Sequence, residues 1–68
     1  MKTDMQLQRD VIDELAWQPR TRGAEIGVAA KDGVVTLTGT VASYVQKFEA
    51  ARLAERVNGA RAVADDLQ

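Results

Sequence analysis

Two kinds of residue in this 68-residue chain are suited to chemistry. One is the carboxylate close enough to a second to share a proton or a metal. The other is the aromatic or basic side chain spaced to meet a surface. Asp65-Asp66 places two carboxylates in succession, but successive side chains of a strand point to opposite faces, so the pair cannot act on one proton or one ion. Glu25, Glu49 and Glu55 stand singly on positions expected to be exposed, the ordinary place for solvated carboxylates. Histidine and cysteine are absent, which removes the usual general base, the commonest transition-metal ligand, thiol catalysis and disulfides. No G-x-G-x-x-G or P-loop pattern occurs, and Gly23-x-x-x-Gly27 lacks the apolar setting that gives such spacing meaning. Catalysis is not expected, and no catalytic, metal-binding or cofactor-binding residue is assigned.

The second kind is better represented. Tyr44, Val45 and Phe48 lie on a segment of helical periodicity, away from its apolar side, with Lys47, Arg52 and Arg56 nearby. Rings that enter the headgroup region while cations meet phosphates suit contact with anionic phospholipid. At roughly 1 kcal/mol per basic residue near such a surface, three cations give weak affinity. Two other readings fit the same residues. Tyr44 and Phe48 could cover the sheet end or the edge of the neighbouring helix, or this patch could receive another domain of the same kind or a second copy of the chain.

Length and composition bound what can position these residues. A chain this short makes one domain at most and buries only about 60% of the surface its unfolded form exposes. Its hydrophobic fraction is 46%, but with a single Trp, Tyr and Phe the core is modest, so marginal stability or support from neighbours is expected. The net charge of −1 argues against a dedicated nucleic-acid binder. Charge is uneven: Asp4, Asp10, Asp13 and Glu14 oppose Arg9 in the first segment, whereas Lys47, Arg52, Arg56 and Arg61 oppose Glu49 and Glu55 later. Two solvated helix faces that attract each other weakly are expected from this pattern. No run approaches the about 18 apolar residues of a membrane span. Met1-Lys2-Thr3-Asp4 leads into an amphipathic helix with no apolar leader, so a cytoplasmic location is expected, or a periplasmic one if the chain is a trimmed form.

The periodicities then predict the elements. Thr3-x-x-Gln6 fits a capping box; Leu7, Val11 and Leu15, joined by Ile12, make one apolar stripe; Pro19 ends the helix. Trp17 is expected to lid one end of the core. Residues 18–23 form a polar connection. Ser43-x-x-Gln46 supplies a second capping box, for a helix from Tyr44 to about Asn58 whose core side is Ala50, Leu53, Ala54 and Val57, with Ala51 on its flank. Gly59 suits the left-handed cap that follows. A short third strand with Val63 and Leu67 on one parity is expected from Arg61 to Gln68. Asp65 shares that parity, which places it at an irregularity or near the sheet edge.

Between the helices, Asp32-Gly33 separates two alternating runs and predicts a tight type I′ hairpin. With these as the two loop residues, Ala30 faces Val35, Val28 faces Leu37 and Ile26 faces Gly39, so the apolar sides of both strands coincide. Gly39 interrupts the buried row, the mark of a close backbone approach, expected here from a crossing helix. The other face carries Gly27, Ala29, Thr36, Thr38 and Thr40 and is flat, small and nearly uncharged, a second surface on which a partner could pack. The fold class is α+β: an α-β-β-α-β two-layer sandwich, a three-stranded mixed sheet with two helices on one face. A right-handed crossover makes strands two and three parallel.

The run Ile26-Gly27-Val28, Lys31-Asp32-Gly33-Val34-Val35-Thr36-Leu37-Thr38-Gly39-Thr40-Val41, then Ser43, Lys47, Ala50, Ala54, Val57, Gly59 and Val63, resembles the BON domain (bacterial OsmY and nodulation) over essentially the whole chain. The opening Met-Lys-Thr-Asp-x-Gln-Leu-Gln is similar to the start of cytoplasmic bacterial proteins built from two or three such domains. The resemblance implies one BON-like domain over 1–68, excised from a longer multi-domain protein. It also implies a non-catalytic binding module that needs no cofactor and associates with phospholipid in osmotic-stress or transport-associated proteins. Asp32, Gly33, Gly39 and Gly59 match the family pattern as structural positions. Ala60 departs from it, standing where valine is usual and leaving the core slightly underfilled.

Overall fold

A computed structural model describes residues 2–21 and 24–68. The end of the polar connection and the first glycine of Gly23-x-x-x-Gly27 lie outside the described residues. Helix α1 spans Asp4–Trp17, a short 3-10 turn follows at Pro19–Thr21, and strands β1 (Glu25–Lys31) and β2 (Val34–Thr40) form the hairpin. Helix α2 (Tyr44–Arg56) and strand β3 (Ala62–Leu67) complete the expected α-β-β-α-β order. The sheet order is β1-β2-β3, antiparallel in the hairpin and parallel across the α2 crossover. Both helices pack on one face, α1 over β1 and α2 over β3.

The hairpin register is the one its sequence dictates, from Lys31 opposite Val34 to Glu25 opposite Thr40. Asp32 and Gly33 adopt φ of 52° and 82°, the left-handed pair of a type I′ turn. The core is Leu7, Val11 and Leu15 of α1, Val35 and Leu37 of β2, Ala50, Leu53 and Ala54 of α2, Val57 just beyond it, and Leu67. Ile12 is instead 45% exposed, a flank rather than a member of the stripe. Trp17 is 83% exposed and lids nothing. It stands two residues beyond Leu15, about 200° around the helix from the buried line.

The helix ends explain the connections. Thr3 and Gln6 form the expected capping box, with Gln6 N–H donating to Thr3 Oγ1 (3.1 Å) and Thr3 N–H to Gln6 Oε1 (3.0 Å). At α2, Gln46 N–H donates to Ser43 Oγ (3.2 Å), but Gln46 Oε1 accepts from Ala42 N–H (2.7 Å) rather than from Ser43. The second box is therefore stretched by one residue. Helix α2 ends at Arg56, before the expected Asn58, and the chain turns through Gly59 with Ala60 N–H donating to Val57 O (3.1 Å).

Thr21 is the buried polar residue that sequence periodicity did not single out. Its hydroxyl lies within hydrogen-bond reach of Leu15 O (2.8 Å) and Gln18 O (3.2 Å), covering carbonyls that the end of α1 leaves open. Thr21→Val keeps the shape and removes the donor, so we expect a loss of about 1–2 kcal/mol in urea unfolding, and Thr21→Ser to recover much of it.

Gly39 is where the structure departs most from expectation. The atoms nearest a side chain built there belong to a strand and not to a helix. A Cβ built on Gly39 would lie 1.9 Å from Glu25 O and 3.3 Å from Ile26 Cα, and its φ is +122°. The close approach is by the backbone of β1, its own hairpin partner.

Each sheet edge is blunted by a side chain. On β1, the alternation set by the two-residue loop turns the backbone groups of Ile26, Val28 and Ala30 away from β2. Gln8 Nε2 of α1 donates to Val28 O there (2.8 Å). On β3, Gln68 N–H pairs with Gly39 O (3.1 Å), and the preceding Leu67 N–H is taken by Asp65 Oδ1 (3.1 Å). Asp65 can therefore share the parity of Val63 and Leu67: it sits at an edge, where its carboxylate serves an outward N–H instead of entering the core.

Candidate functional site

The contact residues that the sequence singles out lie on α2, although Met5, Ile12 and Trp17 of α1 and Val34 of β2 are exposed apolar residues as well. The inner side of α2 is fixed by Ala50, Leu53 and Ala54, which allow close packing on the sheet. The opposite side then carries Tyr44, Val45 and Phe48 at 82%, 62% and 69% exposure. At these values the rings cover neither the sheet end nor a helix edge, so the packing explanation for them falls. Tyr44 and Phe48 stand one helical turn apart. With Lys47 and Asp65 they border an open groove of about 260 Å³ between α2 and the β3 edge. Tyr44 and Lys47 also border a second, of about 310 Å³, with Val41, Ser43 and Leu67 at the start of α2.

The structure does not gather all the basic residues around this aromatic pair. Lys47 is beside it. Arg52 follows Phe48 by one turn but also lines a groove on the side of the 3-10 turn, with Gln18, Arg20 and Glu49. Arg56 faces the space between the helices, lined by Asp10, Asp13 and Glu14 of α1 together with exposed Trp17. Arg56 thus belongs to a mixed-charge groove rather than to the aromatic face.

The expected weak attraction between acidic α1 and basic α2 takes an indirect form. Among the described residues the ion pairs are Lys2 with Asp10 and Arg20 Nη1 with Glu49 Oε1 (3.0 Å), and neither joins α1 to α2. Lys2 Nζ also donates to Asn58 O (2.7 Å), tethering the start of the chain to the turn after α2. Glu49 is half-buried and paired, not an isolated surface carboxylate as its sequence setting suggested. Glu25 and Glu55 are exposed. With Glu49 met by Arg20, Glu55 is the carboxylate of α2 that opposes an anionic partner, and it lies toward the far end of the helix from Tyr44.

Among the described residues, no three acidic side chains come together as a metal site would require, and no helix is long and apolar enough to cross a membrane. Asp65 and Asp66 point to opposite sides of β3, as strand alternation demands.

A two-layer domain whose glycines are spent on a turn and a strand contact, and whose second helix exposes two aromatics one turn apart, has the character of a binding module. Residues 3–68 match the BON domain, and the chain belongs to that family. BON domains are generally binding modules rather than enzymes. No curated protein is similar enough to this chain to count as a relative.

Proposed function

We propose that this domain is a non-catalytic module that attaches reversibly to anionic phospholipid surfaces through the outer side of α2, with Tyr44, Val45 and Phe48 entering the headgroup layer and Lys47 and Arg52 meeting phosphates. The observation that carries this reading is the exposure of both α2 aromatics, one turn apart, beside a lysine. Amphipathic rings gain most at the depth where one end is apolar and the other wet. The family's link to membrane and phospholipid association supports the same reading. Arg56 contributes less than its sequence position suggests, because the carboxylates of α1 line the same groove. Binding is weak for one domain and gains from several domains on one chain.

Flotation with vesicles tests this. The domain is expected to float with vesicles rich in phosphatidylglycerol, to stay behind with pure phosphatidylcholine, and to release as salt rises. Tyr44→Ala with Phe48→Ala should abolish flotation. Glu55→Lys should strengthen it, since each unit of charge near an anionic surface contributes about 1 kcal/mol. Equal flotation with neutral and anionic vesicles, or no response to either change, would remove α2 from the account. A protein partner on the same face predicts a different result: no flotation, and binding that depends on protein alone.

A further inference from the structure

We propose that the free edge of β1 is a self-association surface, on which β1 of a second copy of this chain pairs antiparallel about a two-fold axis through Val28, joining two sheets into one. This edge lies on the far side of the sheet from β3 and α2, so the inference does not rest on the lipid reading.

The edge is guarded at one point only. Ile26, Val28 and Ala30 direct their N–H and C=O groups away from β2. Among the described residues these groups find one partner, Gln8, whose Nε2 donates to Val28 O (2.8 Å). The side chains of Ile26, Val28 and Ala30 are on the helix side yet stay half-buried, whereas Val35 and Leu37 of β2 are wholly shielded. An open, largely apolar groove of about 340 Å³ runs beside them, lined in part by Ile12, Ala16, Ala24, Ile26 and Val28. At about 100° per residue, Met5, Ile12 and Ala16 lie within about 80° of Gln8, on the flank of α1 turned to this edge. All three are exposed. Arg9 is next around that flank, and its length lets the guanidinium turn to solvent.

The sequence of β1 selects a second copy as the occupant. With Val28 opposite its own counterpart, every outward N–H faces an outward C=O: Val28 pairs with Val28, and Ile26 with Ala30 each way. Gly27 then lies opposite Ala29, and Glu25 lies opposite Lys31 twice. Glu25 and Lys31 share the outer side of the strand, are exposed, and have no ion-pair partner among the described residues. They fall in the closely spaced, non-hydrogen-bonded class of pair, where opposite charges stabilise. Asp4 and Asp32 also stand near Lys31 and reduce the attraction. Asp4, however, is on the helix side with its carboxylate on Asp32 N–H (3.2 Å), and neither lies opposite Glu25 in the pairing. A slip of two residues, the smallest that keeps the outward groups matched, sets Lys31 opposite Gly27 or carries it past the strand end. Either slip leaves Glu25 without a cation. The charges therefore fix the register, and the edge is self-complementary, as a two-fold interface requires.

About 24 Å of strand at a layer depth of about 10 Å gives a contact of about 240 Å² per copy, against about 800 Å² in a standard interface. The association is accordingly weak and reversible.

Sedimentation and amide hydrogen exchange test it on the chain as it is. A monomer–dimer equilibrium is expected at about 1 mM, with protection gained at the alternate amides of Ile26, Val28 and Ala30 as concentration rises. Ala30→Pro removes an outward N–H and leaves the β1–β2 ladder intact. It should abolish dimers while circular dichroism remains that of the folded domain. Glu25→Lys and Lys31→Glu should each weaken association, because like charges then meet, and their equimolar mixture should recover it. Gln8→Ala, which removes the guard, should tighten it. The proposal is overturned by a chain that stays monomeric at about 1 mM, by dimers that survive Ala30→Pro, or by a mixture no more associated than its components. It is equally overturned by a Gln8→Ala chain that associates no better, or by protection gained at β3 or α2 instead of the β1 edge.

Discussion

Gly39→Ala is expected to remove half or more of the domain's folding free energy. A domain of this length is held by roughly 0.05–0.15 kcal/mol per residue, about 3–10 kcal/mol in all. A side-chain-bearing residue in the backbone conformation Gly39 adopts costs about 1–3 kcal/mol by itself. The added Cβ would then meet Glu25 O at 1.9 Å, an obstacle made of backbone that cannot rotate aside. Relief requires β1 to move off β2 at the end of the hairpin, loosening Ile26, which packs against the core. Gly27→Ala is the control: its Cβ would meet the Thr38 hydroxyl at 2.9 Å, the end of a side chain that can turn. Urea midpoints should fall sharply for Gly39→Ala and hardly move for Gly27→Ala. Similar midpoints would mean that the strand contact at Gly39 carries no weight.

Leu37→Ala should be comparably severe, at about 3–5 kcal/mol for a fully buried leucine whose cavity the neighbours cannot close. Leu37 lies on the central strand between Val28 and Asp65 and is wholly shielded from water. Phe48→Ala deletes a larger side chain, yet should cost little in stability because its ring is already in solvent. The pair separates the two jobs of apolar residues in this chain. Leu37 should affect the denaturation midpoint, and Phe48 should affect vesicle binding. A large stability loss at Phe48 would mean that its ring packs on the domain after all.

Much of the architecture was legible in the sequence because its signals are local. Asp32-Gly33, the strand parities and the Thr3 cap each act within a few residues, and register follows from turn length once the loop residues are known. Features that depend on distant backbone were harder to read. Gly39 was recognisable as a close approach, but its neighbour is fixed by hairpin twist and not by any helix signal. The parity of Asp65 already pointed to the sheet edge, and what the sequence did not supply was the outward Leu67 N–H that its carboxylate meets there. The hydrophobicity of Trp17 suggests a lid on the core, but its angle from Leu15 places it on the solvent side.

The candidate site was legible in part. Tyr44, Val45 and Phe48 lie off the core face because Ala50, Leu53 and Ala54 fix the helix rotation, which periodicity alone reveals. The division of the cations was not visible, since it depends on which element flanks each side of α2. Arg56 adjoins the acidic groove and Lys47 the β3 edge because α1 and β3 lie on opposite sides of that helix. Glu49 likewise looked isolated until the fold brought up Arg20.

The central claim, that α2 presents the functional surface, is tested most directly by mapping backbone amide shifts as anionic bicelles are added to the labelled domain. Shifts are expected to concentrate at Tyr44, Val45, Lys47, Phe48 and Arg52, with the outer sheet face and α1 little changed. Perturbation confined to sites away from Tyr44 and Phe48 would contradict it.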